Sequence, residues 1–201
     1  MIIHHVRMVH GIRTMDGGKK TFKKLKLLLS NLLDNSEIDL VDYGYVLIPI
    51  SNNKAANAVI KSLEDIPSKC PTTIVAYSNG CWASVQAAER GFHVDHLILI
   101  NPALNKKHEF PGDILRVDVY YSPTDNVTRL GKWYSKIVNI LPWRWTEKHD
   151  WGEMGKTGYI GNDPRVHNHN MGDVSHFFYD HHEVSARISQ DIDRLYEEDM
   201  V

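Results

Sequence analysis

The chain has 201 residues, of which 42% are hydrophobic and 24% are charged, and its formal net charge at pH 7 is −2. This length and composition are typical of one soluble globular domain, so we treat residues 1–201 as a single domain with one active centre. The small negative charge gives no attraction to nucleic acid, and no apolar run approaches the roughly 20 residues that span a bilayer.

The first elements in chain order are a strand and a helix. Residues 2–10 are rich in β-forming side chains and end at Gly11, and residues 21–33 carry their apolar side chains on one helical stripe. The amino terminus lacks the cationic start and apolar core of a secretory signal, so we expect a cytoplasmic protein. A cluster of lysines is interpreted as the solvated face of the helix and consists of Lys19, Lys20, Lys23, Lys24 and Lys26.

The strand-then-helix pattern repeats along the chain. Apolar runs typical of buried strands alternate with amphipathic or small-residue segments typical of helices. The apolar runs are 45–50, 72–77, 94–100 and 114–121, and the helical segments are 56–66, 79–90 and 184–195. This alternation favours an α/β fold of three layers, in which helices cover both faces of a mostly parallel sheet.

Residues 131–172 show no sustained period, although tryptophans and glycines are concentrated there. We expect a structured excursion over one end of the sheet, because long unperiodic loops in compact domains are often functional. It could act as a lid or form a substrate pocket from Trp143, Trp145 and Trp151, and plain surface packing of these rings is the alternative.

The two cysteines, Cys70 and Cys81, flank the apolar run 72–77. So few cysteines give no disulfide framework, and we expect two reduced thiols.

The strongest local motif is Ala76-Tyr77-Ser78-Asn79-Gly80, which places a serine between a buried strand and a helix. A sharp strand-to-helix turn pushes the serine side chain beyond the sheet and needs small residues two positions before and after it. The motif resembles the nucleophile elbow of the α/β-hydrolase family, Gly-x-Ser-x-Gly, with alanine in place of the first glycine. A serine that merely caps the helix would give the same local pattern.

The resemblance extends to His10-Gly11-Ile12 at the end of the first strand. In the family, the backbone N–H beyond such a His-Gly step helps to bind the negative oxygen of the tetrahedral intermediate. The resemblance therefore implies an oxyanion hole formed by the backbone N–H groups of Ile12 and Asn79. The second glycine of the fuller His-Gly-Gly form is absent, and His10 itself could be a core histidine without a chemical role.

The order of triad residues in this family is serine, acid, histidine, and Asp125 fits the acid. It directly follows the run 114–121, at the same end of the sheet as the serine turn. It could instead cap the next helix. Asp118, within the strand, and Asp150, in the irregular region, are the weaker candidates.

The histidine has several candidates before the last helix: His167, His169, His176, His181 and His182. The family's histidine lies in a loop just ahead of the final helix, and His176 fits that position, so we select it. His169 and His181 remain as alternatives. The cluster, together with Asp173 and Asp180, could instead bind a transition metal, although no other metal-binding motif supports this hypothesis.

The resemblance implies a serine hydrolase that cleaves a carboxylic ester or related acyl bond through an acyl-enzyme, without a cofactor. Its partner would be a small-molecule ester or acyl substrate, and hydrolysis is not distinguished from acyl transfer. Two alternatives remain open. The chain could be a non-catalytic binding protein on the same fold, or a metal-dependent hydrolase that uses the histidine cluster.

Overall fold

Six parallel strands form one sheet in the computed structural model, which describes residues 3–12, 14–45, 52–127 and 151–199. The strands are β1 (His4–Val9), β2 (Ser36–Val41), β3 (Thr72–Tyr77), β4 (His96–Ile100), β5 (Arg116–Tyr121) and β6 (Val166–Asn170). The helices are α1 (Lys19–Leu32), α2 (Asn52–Glu64), α3 (Asn79–Glu89), the one-turn α4 (Met154–Thr157) and α5 (His182–Asp199). A 3₁₀ turn at Phe178–Asp180 precedes α5.

The strand order is β2-β1-β3-β4-β5-β6, and every neighbouring pair is parallel. The chain passes from β1 outward to the edge strand β2 and then back across β1 to β3, after which each strand adds to the same side. The connections that leave β1 and β3 therefore diverge, so the carboxyl ends of these two strands form a topological switch point. Ligands of open α/β sheets bind at such a point.

Helices cover both faces of the sheet, as the sequence predicts. Helices α2 and α3 pack on one face, where Val59 and Val85 meet strand residues such as Ile74. Helices α1 and α5 pack on the other face, where Leu25 and Ile188 belong to a second buried cluster. Each fully buried side chain of this kind contributes about 1.5–3 kcal/mol. The two apolar layers thus hold the strand ends in fixed positions.

The two edge strands were not predicted. The sequence of β2 alternates between half-buried and exposed positions, and β6 is mostly polar, so neither has the apolar run of a buried strand. Strand β6 and helix α4 also lie within residues 131–172, so the prediction of an irregular segment was wrong for those positions. Tyr45 lies outside any strand, and residues 46–50 of the predicted apolar run fall outside the described residues.

Cys70 and Cys81 are free thiols. The lysine cluster on α1 is exposed at Lys19, Lys20, Lys23 and Lys24 and half-buried at Lys26. Among the residues that the structure describes, no helix combines the length and apolar character needed to cross a bilayer.

His4 is buried at the amino end of β1, at the opposite end of the strand from the turn that contains Ser78. It is 1% exposed, its Nε2 lies 2.8 Å from the Thr73 hydroxyl oxygen, and its ring stacks on Tyr196 of α5. Burial, followed by repulsion from the nearby His96, lowers the pKa of His4 to about 4; Asp95 opposes this effect and His5 adds to it. The imidazole is therefore neutral at pH 7, where it joins the sheet to the last helix.

We expect the protein to lose stability in mild acid because of His4. In the unfolded chain the imidazole takes up its proton near pH 6.5, but in the folded chain it does so only near pH 4. The unfolded state thus binds more protons in this window, and the free energy of unfolding should fall by up to about 3 kcal/mol as the pH drops through it. Urea unfolding measured at pH 7 and pH 4.5 tests this. In a His4→Gln variant the pH dependence should be smaller, and an unchanged dependence would contradict the assignment.

Candidate active site

Ser78 occupies a strained turn between β3 and α3. Its φ of 54° and ψ of −118° are unfavourable for a residue with a side chain. Backbone hydrogen bonds hold the turn, because the Ser78 N–H donates to Ile100 O at 2.9 Å and the Ser78 carbonyl accepts from Ala103 N at 3.3 Å. The serine side chain is thereby raised beyond the carboxyl end of the sheet.

Gly80 allows α3 to begin directly against the end of β1. A Cβ built on Gly80 would lie 2.4 Å from Val9 O and 2.5 Å from His10 O, distances at which backbone atoms would have to move. The glycine of the sequence motif is therefore required by packing as well as by the turn. Ala76, which replaces the first glycine of the usual form, is fully buried within β3.

His176 lies within hydrogen-bond distance of both Ser78 and Asp125. Its Nε2 is 3.0 Å from Ser78 Oγ, and its Nδ1 is 2.8 Å from Asp125 Oδ2. Because a carboxylate only accepts hydrogen bonds, its partner Nδ1 carries the proton, and Nε2 is left to accept from the serine hydroxyl. Ser78 and His176 are each 7% exposed and Asp125 is fully buried, so little water competes for these bonds.

The backbone of His176 is held by two further side chains. Its carbonyl accepts from Tyr77 Oη at 3.0 Å and from Asn101 Nδ2 at 2.9 Å. Burial raises the pKa of Tyr77 well above its ordinary value, so its hydroxyl keeps the proton that it donates. Sequence reasoning missed both residues. Asn101 has a φ of 45°, in the left-handed region. An asparagine just after a buried strand is a sequence signal for a residue in this conformation.

Asp125 lies in a turn just beyond β5 that is joined to the histidine loop. Ser122 Oγ donates to Gly172 O at 2.8 Å, and Thr124 Oγ1 donates to Val174 O at 3.1 Å. These bonds couple the position of the carboxylate to that of His176. Asp125 Oδ1 also accepts from the Val127 N–H at 2.9 Å, so the carboxylate caps the next turn as well as facing the imidazole.

A second histidine–aspartate pair lies on the strands themselves. Asp118 of β5 accepts from Arg116 Nε at 2.8 Å and lies 2.6 Å from His169 Nε2. Burial alone would raise the pKa of Asp118, but hydrogen bonds from His169 and Arg116 more than offset it and hold this pKa below its usual value. Of the other candidate histidines, His181 is half-buried, whereas His167 and His182 are exposed. It is thus His176 that stands beside the serine.

The segment that follows β1 passes over Ser78. A Cβ built on Gly11 would lie 3.1 Å from Ser78 Cβ. The Gly11 carbonyl faces His10 Nδ1 at 2.7 Å and accepts from Thr14 Oγ1 at 3.1 Å. The peptide is trans, so the Ile12 N–H points away from that carbonyl. Asn79 is the first residue of α3, where backbone N–H groups have no intrahelical acceptor.

Trp151 packs in the buried cluster beneath α2 and α3, with Phe110 and Tyr159 among its members. Trp143, Trp145 and Asp150 lie outside the described residues, so the tryptophan-lined pocket stays a prediction. Within the described ranges, no three His, Cys, Asp or Glu side chains are grouped closely enough to hold a metal ion.

Comparison with solved structures identifies the fold. A dienelactone hydrolase from Anabaena variabilis matches with a TM-score of 0.62 and 10% identity, over 98% of this chain and 87% of that one. A lidless α/β serine hydrolase from Xanthomonas campestris matches with a TM-score of 0.60 and 14% identity, over 98% and 84%. A Pyrococcus furiosus esterase matches with a TM-score of 0.57 and 12% identity, over 96% and 83%.

The chain therefore has the α/β-hydrolase fold along nearly its whole length, and its structural neighbours are hydrolases and esterases. The sequence matches no protein-family model and no curated protein. At these low identities the likeness extends to architecture alone, and the chemistry depends on the side chains at the site itself.

Proposed function

We propose that the protein is a serine hydrolase that cleaves a carboxylic ester or a related acyl bond of a small molecule. One observation carries this proposal: a continuous line of hydrogen-bonding groups runs from Ser78 Oγ through His176 to Asp125. A nucleophile, a base and a residue that orients the base are the parts that acyl transfer to a serine requires. The strained turn at Ser78 supports the same conclusion, because strain of this kind is concentrated at functional sites.

In the first half of the reaction, Ser78 Oγ attacks the substrate carbonyl carbon and His176 Nε2 takes the hydroxyl proton. Asp125 keeps the ring oriented and stabilises the imidazolium. The carbonyl π electrons move to oxygen, and the backbone N–H groups of Asn79 and Ile12 bind the resulting oxyanion. A donor of this kind contributes about 3–4 kcal/mol to the transition state. His176 then protonates the leaving alcohol, and the acyl-enzyme remains.

In the second half, a nucleophile releases the acyl group from Ser78. Water loses a proton to His176 Nε2 as it attacks the ester carbon, and His176 returns that proton to Ser78 Oγ as the bond between the acyl carbon and Oγ breaks. The products are a carboxylic acid and the free enzyme. An alcohol, amine or thiol in place of water would give acyl transfer by the same steps.

Replacing Ser78 with alanine should lower turnover of a short p-nitrophenyl ester at least about 10³-fold, because the nucleophile is removed. Labelling by a fluorophosphonate probe, which needs an activated hydroxyl, should be lost as well. Ser189→Ala is the matched control, since Ser189 is also buried but lies on α5. If a folded Ser78→Ala variant keeps the wild-type turnover, the proposal is wrong. A wild-type protein that neither reacts with the probe nor turns over esters would favour a binding function.

A further inference from the structure

One buried tyrosine connects the two segments that border Ser78. Tyr43 comes just after β2 and is 2% exposed. Its hydroxyl donates to the backbone carbonyl of His10 at 2.6 Å, at the end of β1. The side chain of Asn79, the first residue of α3, also acts on this hydroxyl, because it opposes the rise in the pKa of Tyr43 that burial causes. Tyr43 therefore acts on both segments that border Ser78.

The hydrogen positions of this network follow from its chemistry. A phenol has one hydrogen, and the His10 carbonyl, which can only accept, uses it. The Asn79 side chain lowers the pKa of the phenol, as a group that donates toward its oxygen does, so the amide Nδ2 is the atom that faces Tyr43. Burial raises the pKa of Tyr43, so the phenol stays neutral and keeps the hydrogen that it donates. The hydrogen bond from Tyr43 to His10 is thus defined in direction, and the Asn79 amide acts on the same oxygen from the side of α3.

Tyr43 also supports the His10 side chain. The two rings stack with centroids 3.9 Å apart and planes 19° from parallel. Burial lowers the pKa of His10, so its imidazole is neutral. Its Nδ1 faces the Gly11 carbonyl at 2.7 Å and therefore donates to it. This contact sets the orientation of the peptide that ends in the Ile12 N–H.

We infer that Tyr43 is a positioning residue for the oxyanion hole. Its hydroxyl restrains the His10 backbone and the Asn79 side chain, and its ring restrains the His10 imidazole, so one side chain aligns the segments that carry both N–H donors. This inference rests on the proposed function, because the donors matter only if an oxyanion forms. Backbone donors depend on such support, since a misplacement of about 1 Å can cost about 10²-fold in rate.

Gly80 has no side chain that could hold α3 in place against the end of β1, so a side chain from outside these two segments has to fix their spacing. Because Gly80 has no side chain, α3 meets the carbonyls of Val9 and His10 directly, and nothing lies between them. The Tyr43 hydroxyl reaches the same His10 carbonyl from the β2 side. It can therefore fix the spacing of the segments without entering the space above Ser78.

The test is a Tyr43→Phe substitution in the full chain, which keeps the ring and its stacking on His10 but removes the hydroxyl. We expect kcat for a short p-nitrophenyl ester to fall about 10-fold while KM changes less than about 2-fold, because the donors act mainly in the transition state. The affinity for an alkyl boronic acid, whose serine adduct is tetrahedral, should fall by the same factor as kcat.

Tyr120→Phe is the matched control. Tyr120 is fully buried, and its hydroxyl donates to Asp191 Oδ2 at 2.5 Å on the α5 side of the sheet. This variant loses a comparable hydrogen bond, so it should lose stability while its kcat and boronic acid affinity stay at the wild-type level. A Tyr43→Phe variant that behaves in the same way overturns the inference.

A second variant covers the case in which Tyr43→Phe does not fold. Asn79→Ala removes the other end of the network and keeps both backbone N–H groups, so it should show the same parallel loss of kcat and boronic acid affinity. An unchanged affinity in a folded Asn79→Ala variant overturns the inference. The two proposals fail in different ways: an inactive, probe-resistant wild-type protein rejects the proposed function, whereas an active wild type with unaffected variants rejects the role of Tyr43 alone.

Discussion

Replacing Asp125 with asparagine should lower kcat for ester cleavage by about 10⁴-fold while the fold is kept. The Asp125 carboxylate accepts a hydrogen bond from the Nδ1–H of His176, which leaves Nε2 unprotonated and free to take the serine proton. An asparagine amide can instead donate to Nδ1, and the ring then carries its hydrogen on Nε2, where it cannot act as a base toward Ser78. Steady-state kinetics with a p-nitrophenyl ester, together with circular dichroism, would measure both effects.

Asp118→Asn provides the control for this substitution. Asp118 is also a fully buried carboxylate paired with a histidine, but it joins β5 to β6 instead of facing the serine. Its replacement should cost about 1–3 kcal/mol of stability, because the partner groups lose a charged acceptor, and should leave kcat within a few-fold of wild type. Equal losses of kcat in the two variants would contradict the role assigned to Asp125.

Replacing Gly80 with alanine should destabilise the protein by about 2–4 kcal/mol, since the new methyl group overlaps backbone atoms that cannot turn away. The contacts are with Val9 O and His10 O, at 2.4 Å and 2.5 Å. If α3 moves to relieve the overlap, the Asn79 N–H moves with it, and we expect the folded fraction to lose about 10²-fold in kcat. Urea unfolding and active-site-normalised kinetics separate the two losses.

Gly112→Ala is the corresponding glycine control. A Cβ built on Gly112 meets no atom within 4 Å. Its replacement should change stability by less than about 0.5–1 kcal/mol, with a gain expected because alanine restricts the unfolded chain. If the Gly80→Ala variant were as stable and as active as Gly112→Ala, the close approach of α3 to β1 would contribute nothing to stability or to kcat.

The central part of the fold could be predicted because its residues carry strong physical signals. Strand β3 is a run rich in β-branched residues, and the small residues on both sides of Ser78 predicted a tight turn into a helix that packs closely. The fold class is confirmed by the sheet and by the structural neighbours. The order of Ser78, Asp125 and His176 predicted which side chains would meet, and they lie within hydrogen-bond distance; their catalytic role stays a prediction.

The edge strands escaped prediction because an edge strand need not be apolar. Among the residues that the structure describes, strand β6 pairs only with β5, and its sequence Val-His-Asn-His-Asn has one hydrophobic residue. Its stability comes from the backbone ladder and from side-chain bonds such as His169 to Asp118, which depend on a partner strand distant in sequence. Periodicity within a single segment contains no information about such a partner.

The supporting residues of the site were missed for a related reason. Tyr43, Tyr77 and Asn101 act through hydrogen bonds to backbone carbonyls of distant segments. A backbone carbonyl is present at every position, so the sequence around these residues gives no sign of the bond. Only the assembled sheet brings donor and acceptor together.

The separation of the site residues along the chain has a consequence for refolding. His176 lies 98 positions from Ser78 and 51 from Asp125. Contacts of such high sequence separation form late, because closing long loops costs entropy before the contact is gained. After dilution from urea, helical circular dichroism should therefore recover before ester cleavage does. The recovery of ester cleavage would then report when the contacts of His176 with Ser78 and Asp125 form.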